Sequence, residues 1–141
     1  MLYSYKGDME KALDYLSIVI DDSEQQLRTD IFCYARLIHL MCHYNLNNFN
    51  LVINLLPSVK MTFENNRQMN PVIDLMLAFL RRGSRATNFG LSEYISATVG
   101  KLQQYEKGGM ERIAFIYYDL TSWVKSIGTG TTIESIRKEI E

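Results

Sequence analysis

LRTDIFCYARLIHLMCHYNL, residues 27–46, is the stretch on which the fold turns. Wound as an α-helix of about 3.6 residues per turn, it places Leu27, Ile31, Tyr34, Ala35, Ile38, Met41 and Cys42 on one stripe. Phe32, Leu37, Leu40 and Tyr44 then fill much of the remaining circumference. A helix that is apolar nearly all round is buried on more than one side, so other helices must surround it. Ser23 followed three residues later by Gln26 has the spacing of a capping box and predicts where this helix opens.

The flanking sequence supplies the surrounding helices. Upstream, residues 1–6 form a short helical remnant ending at Gly7. Asp8 then caps a helix carrying Met9, Ala12, Leu13, Leu16, Val19 and Ile20, which ends near Asp21 and Asp22. Downstream, Asn47-Asn48 reads as a turn, and Phe49, Val52, Ile53, Leu56, Val59 and Phe63 continue a helical pattern. Pro57 lies inside that pattern and removes a backbone hydrogen bond, which predicts a kink or a split.

Asn70-Pro71 combines an N-cap with proline at the first helical position. The helix it opens carries Ile73, Met76, Leu77 and Leu80 and is predicted to close at Arg81-Arg82-Gly83. A further helix runs from Leu91 through Ile95, Val99 and Leu102 to Tyr105 and stops at Gly108-Gly109. Another runs unbroken from Ile113 through Tyr117, Leu120 and Trp123 to Ile127. Gly128-Thr129-Gly130 ends it, and Thr131 with Glu134 caps a last helix carrying Ile133, Ile136 and Ile140. No segment alternates as a strand does. The expectation is an all-α chain of about seven helices, antiparallel hairpins joined by short turns, in one domain over residues 1–141.

Composition agrees. A chain of 141 residues that is 47% hydrophobic, with only two prolines, is long enough for one core and is neither disordered nor a disulfide scaffold. Fifteen Lys and Arg face 16 Asp and Glu. Residues 1–22 carry two bases and five acids, residues 23–70 four and three, and residues 71–141 nine and eight. With no strongly basic segment, a nucleic-acid partner is not expected, because that binding neutralises phosphates with clustered cations. Residues 37–59 contain no Asp, Glu, Lys or Arg, yet five asparagines, two histidines and Pro57 interrupt them, so no membrane span is expected there. Residues 1–6 lack the basic start and apolar run of a signal peptide. Cys33 and Cys42 fall on opposite sides of one helix, about 13 Å apart along its axis, too far to bond. Two unpaired cysteines in an apolar helix suit a reducing compartment, so the cytoplasm is the expected location.

Two places share a local grammar: Gly7-Asp8-Met9-Glu10-Lys11-Ala12-Leu13 and Leu46-Asn47-Asn48-Phe49-Asn50-Leu51-Val52. Each is a turn of small polar residues, then a large apolar residue, then a smaller one three positions on. This resembles the turn and second helix of a tetratricopeptide (TPR) repeat, in which the small residue lets paired helices approach closely. Ala12 and Val52 are 40 residues apart where a regular repeat takes about 34, and Val52 stands where the family has alanine. The resemblance covers residues 1–70 as one and a half degenerate repeats and leaves residues 71–141 as additional or capping helices. It implies helical hairpins stacked as a right-handed superhelix, the terminal part of a longer array, binding proteins or peptides and catalysing nothing.

Candidate sites are few. His39 and His43 are one turn apart with Cys42 on the adjoining face, a weak candidate metal set that matches neither HExxH nor CxxCH. Arg81, Arg82 and Arg85 cluster at a helix end and could hold an acidic peptide terminus. In an array cut at its first hairpin, Met9, Ala12, Leu13 and Leu16 form an open apolar stripe, which predicts partner binding or self-association through residues 1–20. Gly128-Thr129-Gly130-Thr131-Thr132 lacks the Gly-Lys-Ser/Thr of a phosphate loop. No nucleophile–base pair is readable from spacing and no cofactor is expected. The expected function is a non-catalytic scaffold for protein–protein interaction. The alternative is an all-α sensing domain that holds a small ligand or metal between helices, through His39, Cys42, His43 and Trp123.

Overall fold

The computed structural model describes residues 2–23, 28–85 and 91–140, and every regular element among them is helical. The order is α1 (Leu2–Tyr5), α2 (Met9–Ser23), α3 (Thr29–Asn45), α4 (Phe49–Asn65), α5 (Pro71–Arg85), α6 (Leu91–Glu106), a 3-10 turn (Met110–Ile113), α7 (Ala114–Tyr117), α8 (Leu120–Thr129) and α9 (Ile133–Ile140). The all-α class is as the apolar periodicity requires.

α3 is the central helix. Cys33, Tyr34, Ala35, Leu37, Ile38, Leu40, Met41, Cys42 and Tyr44 are all buried on it, because it packs against α2, α4 and α5 at once. At its start the Tyr34 ring stacks on Tyr117 of α7 (4.0 Å, 5°) and meets Phe63 of α4 edge-on (5.3 Å). Near its end Tyr44 touches Phe49, Phe79 and Trp123, one ring each from α4, α5 and α8. Aromatic edges and faces packed this way add to the area they bury. Helix α3 begins at Thr29, so Ser23 is the last residue of α2 rather than a cap for α3. The other half of that expected capping box, Gln26, and the stripe residue Leu27 lie outside the described residues.

The shared turn grammar is a backbone fact. At Gly7, Asp8 N–H donates to Tyr3 O (2.8 Å) and Gly7 N–H to Ser4 O (3.1 Å); at Asn47, Asn48 N–H donates to His43 O (2.9 Å) and Asn47 N–H to Tyr44 O (3.0 Å). These are paired Schellman bonds around a left-handed residue, with φ of 86° at Gly7 and 64° at Asn47. A third copy, missed in the sequence, ends α4. Gln68 N–H donates to Phe63 O, Arg67 N–H to Glu64 O, and Arg67 has φ 56°. Five residues after each left-handed position stands Ala12, Val52 or Val72, each fully buried in the core.

Several boundaries follow the predicted signals. Asn70 Oδ1 accepts from Val72 N–H (3.0 Å) and Ile73 N–H (3.2 Å), capping α5 as Asn70-Pro71 implied. Pro57 does not split its helix; α4 runs through it as one element with Pro57 exposed. The cap of α9 is Thr132, whose Oγ1 accepts from Ser135 N–H (3.2 Å), one residue beyond the expected Thr131. The helix expected from Ile113 to Ile127 breaks at Tyr118, which is extended (φ −163°, ψ 148°), and Asp119 restarts it by accepting from Ser122 N–H.

That break is where the chain closes on itself. Ser4 Oγ and the buried Tyr118 hydroxyl are 2.6 Å apart, Asp119 N–H donates to Tyr5 Oη (3.1 Å), and Arg137 of α9 lies over the Tyr5 ring. Helix α1 thus packs on α9 as well as on α2. In an open repeat stack each unit touches only its neighbours; here the first and last of the described helices meet.

Gly83 was expected to terminate α5 but lies inside it and is buried. A Cβ there would fall on Tyr44 Oη and within 2.9 Å of Tyr44 Cε2. Helix propensity alone favours Gly83→Ala by ~1 kcal/mol. Because Tyr44 is wedged between Phe49 and Trp123, we expect a net loss of ~1–3 kcal/mol in urea denaturation instead. Adding Tyr44→Phe, which removes the clashing oxygen, should return part of that loss; a stabilised Gly83→Ala protein would refute the close contact.

Candidate functional site

The predicted site residues disperse in the structure. His39 and His43 pack ring edge to ring face (4.6 Å, 76°), and Asn48 Nδ2 lies 3.1 Å from His43 Nδ1. Burial, then His43 and Arg36, brings the His39 imidazole down to about 4, so it is neutral near pH 7. Cys42 is buried, and that burial pushes its thiol up to about 12. Cys33 is equally enclosed, pushed up to about 11, with Sγ on Thr62 O. Among the described residues no group of three His, Cys, Asp or Glu side chains is placed to hold a metal ion.

Trp123, grouped with these residues in the sensing alternative, lies apart from His39. Its Nε1–H donates to Asn45 Oδ1 (2.7 Å), and it lines a pocket of about 150 Å³ with Ser4, Met9 and Ile133. His39 lines a different groove, between α2, α3 and α4.

The apolar stripe of α2 is corrected more sharply. Met9, Ala12 and Leu16 belong to the core and Leu13 packs against it, because α3 covers that face. The apolar residues that α2 exposes are Tyr15 and Ile18. Docking through Met9, Leu13 and Leu16 would require α2 to leave α3. Arg81, Arg82 and Arg85 are exposed, but the Arg82 guanidinium sits 4.3 Å above the Tyr94 ring, itself stacked on Phe79. It therefore serves the α5–α6 contact.

One ionic cluster ties α3 to α7. Arg28 grips the Asp30 carboxylate through Nε (3.1 Å) and Nη2 (3.0 Å), and the Tyr117 hydroxyl donates to Asp30 Oδ2 (2.6 Å). The bonds from Arg28 and Tyr117 hold the Asp30 carboxyl well below the usual carboxylate range; the bond to Asp30 and burial push Tyr117 up to about 12. Each group is held in the protonation state it already has at neutral pH. The cluster is a clasp, not an acid–base pair.

What the structure assembles, and the sequence did not announce, is an open groove of about 760 Å³ between α6, α8 and α9. Leu91, Val99 and Ile127 give it half-buried apolar surface, the buried Ile95 and Ile136 complete its apolar lining, and Ser92, Ser96, Gln103, Lys125 and Thr129 supply polar groups around them. Residues 91–103 of α6 run along it for about 18 Å, a little over three helical turns. On this face Ser92, Ser96 and Gly100 recur every fourth residue, leaving room beside the apolar positions. That spacing was the readable signal; the opposite wall comes from helices some thirty residues on and was not.

Among the described residues no helix is long and apolar enough to cross a membrane. The chain matches no family model, no curated protein and no solved structure.

Proposed function

We propose that this chain is a non-catalytic helical scaffold, with hairpin turns like those of TPR repeats but with α1 packed on α9, that takes up an amphipathic helix of a partner protein in the groove between α6, α8 and α9. The observation that carries the reading is the groove itself: apolar walls, polar surroundings, and a length matching three turns of a helix. An amphipathic helix presents apolar residues at i, i+3, i+4 and i+7, which such a channel accommodates. The three Schellman turns described above, each followed five residues on by a buried small or β-branched residue, support the kinship with TPR hairpins.

Gly100→Arg tests the reading cleanly. Gly100 is exposed, lines the groove, and a Cβ there meets nothing within 4 Å. The substitution should raise helix stability by up to ~1 kcal/mol while placing a long side chain in the channel. A partner captured by the tagged wild-type protein is expected to be lost with Gly100→Arg although the thermal midpoint does not fall. Undiminished capture by the variant would remove the groove from the account.

A further inference from the structure

A second groove, of about 360 Å³, lies between α2, α3 and α4, away from the one assigned to a partner helix. Its walls include Ile20, Phe32, Leu55 and Val59, and the half-buried Arg36 stands beside them, with His39 one turn further along α3. The Arg36 guanidinium is fixed in place: Nη1 donates to Thr62 Oγ1 (2.6 Å) and Nη2 to Ser58 Oγ (3.0 Å). Both acceptors are neutral hydroxyls. Among the described residues no carboxylate lies within ion-pair distance of Arg36, although each of the four ion pairs elsewhere has its acid within 3.7 Å.

A guanidinium pre-oriented on neutral anchors, with no carboxylate in ion-pair contact among the described residues, is half of a recognition device. Its remaining N–H donors form a planar fork that matches a carboxylate or a phosphate. Asp21, also in the lining, favours the less charged of these, because a second negative charge on the ligand would be repelled. The volume is at the small end of the ~300–1,000 Å³ usual for small-molecule sites. His39 adds no competing charge, since its imidazole is neutral near pH 7.

From this we infer that the groove between α2, α3 and α4 binds a small organic monocarboxylate, the carboxylate on Arg36 and an apolar tail against Ile20, Phe32, Leu55 and Val59. The site is independent of the helix-binding groove, and its failure would leave that reading untouched.

The test is an NMR titration of the full chain with octanoate and phenylacetate, set against octanamide and phenylacetamide as uncharged matches. At least one acid should shift backbone amides lining the groove, and its amide should bind about tenfold or more weakly. Arg36→Gln, which keeps a donor for the hydroxyls, should abolish the preference for the acid. Ser17→Trp, at an exposed lining position, should block the acid while leaving the unfolding transition in place, and it decides the matter if Arg36→Gln fails to fold. No shifts with either acid, equal binding of acid and amide, or shifts that persist in Ser17→Trp would overturn the assignment.

Discussion

Trp123→Ala should lower the unfolding free energy by ~3–5 kcal/mol, as expected for deleting a fully buried indole. Trp123 is 1% exposed and meets Tyr44 at 5.6 Å and Phe79 at 5.9 Å, so its removal leaves a cavity where α3, α5 and α8 converge. The loss has a second source, because Asn45 Oδ1 forfeits the indole N–H that it accepts. Trp123→Phe separates the two: it keeps most of the packing and loses the hydrogen bond, so it should cost far less. Urea denaturation reads both. A Trp123→Ala cost under ~1 kcal/mol, typical of a surface change, would contradict the closure of the fold around this ring.

Acid should weaken the protein well above the range in which carboxylates titrate. The folded state holds His39 down to about 4 from an ordinary 6.5, through burial, the neighbouring His43 and the Arg36 charge. His43 is lowered by burial as well, and Asp21 is the acid lining the same groove. Between those two values the unfolded chain takes up a proton that the folded chain refuses. Stability is therefore complete above about pH 6.5 and falls toward pH 4, by up to ~3 kcal/mol from His39. Asp30 adds its loss lower still, as pH drops below the ordinary aspartate value, because its folded carboxyl is held further down. His39→Gln should flatten the slope between pH 6.5 and 4 without touching the loss that Asp30 adds below it. An unchanged slope in the variant would mean that the imidazole is not buried as described.

The helices themselves were legible because their signals are local. Asn70-Pro71, Gly7 and Asn47 carry turn or cap chemistry in single residues, and α3 announces its central place by being apolar on every side. What was hidden depends on distant partners. The break at Tyr118 sits in a run whose spacing is helical throughout; bonds of Ser4 and Tyr5 to Tyr118 and Asp119, across more than a hundred residues, accompany the extended backbone there. Arg67 adopts a left-handed turn without the glycine or asparagine that would advertise it. Gly83 looks like a terminator by composition and is instead the place where Tyr44 needs room. The inward face of α2 misled for a related reason: periodicity shows that Met9, Ala12 and Leu16 share a face, but only the packing shows that α3 covers it.

The candidate site was less legible than the fold. Neither groove lies within one helix, and the residues that seemed chemically richest, His39, Cys42 and His43, are absorbed in packing. Arg36 was unremarkable as a letter in an apolar run; its interest comes from the two hydroxyls that α4 brings to it.

Uptake of a partner helix by the groove between α6, α8 and α9 is read out by position-specific photo-crosslinking. A benzoylphenylalanine at Ser96, exposed on the groove, is compared with one at Asn50, exposed on α4, in native lysate. One reproducible adduct is expected from position 96, absent from position 50 and lost when Gly100→Arg is added. The same adducts from both positions, or none from position 96, would contradict it.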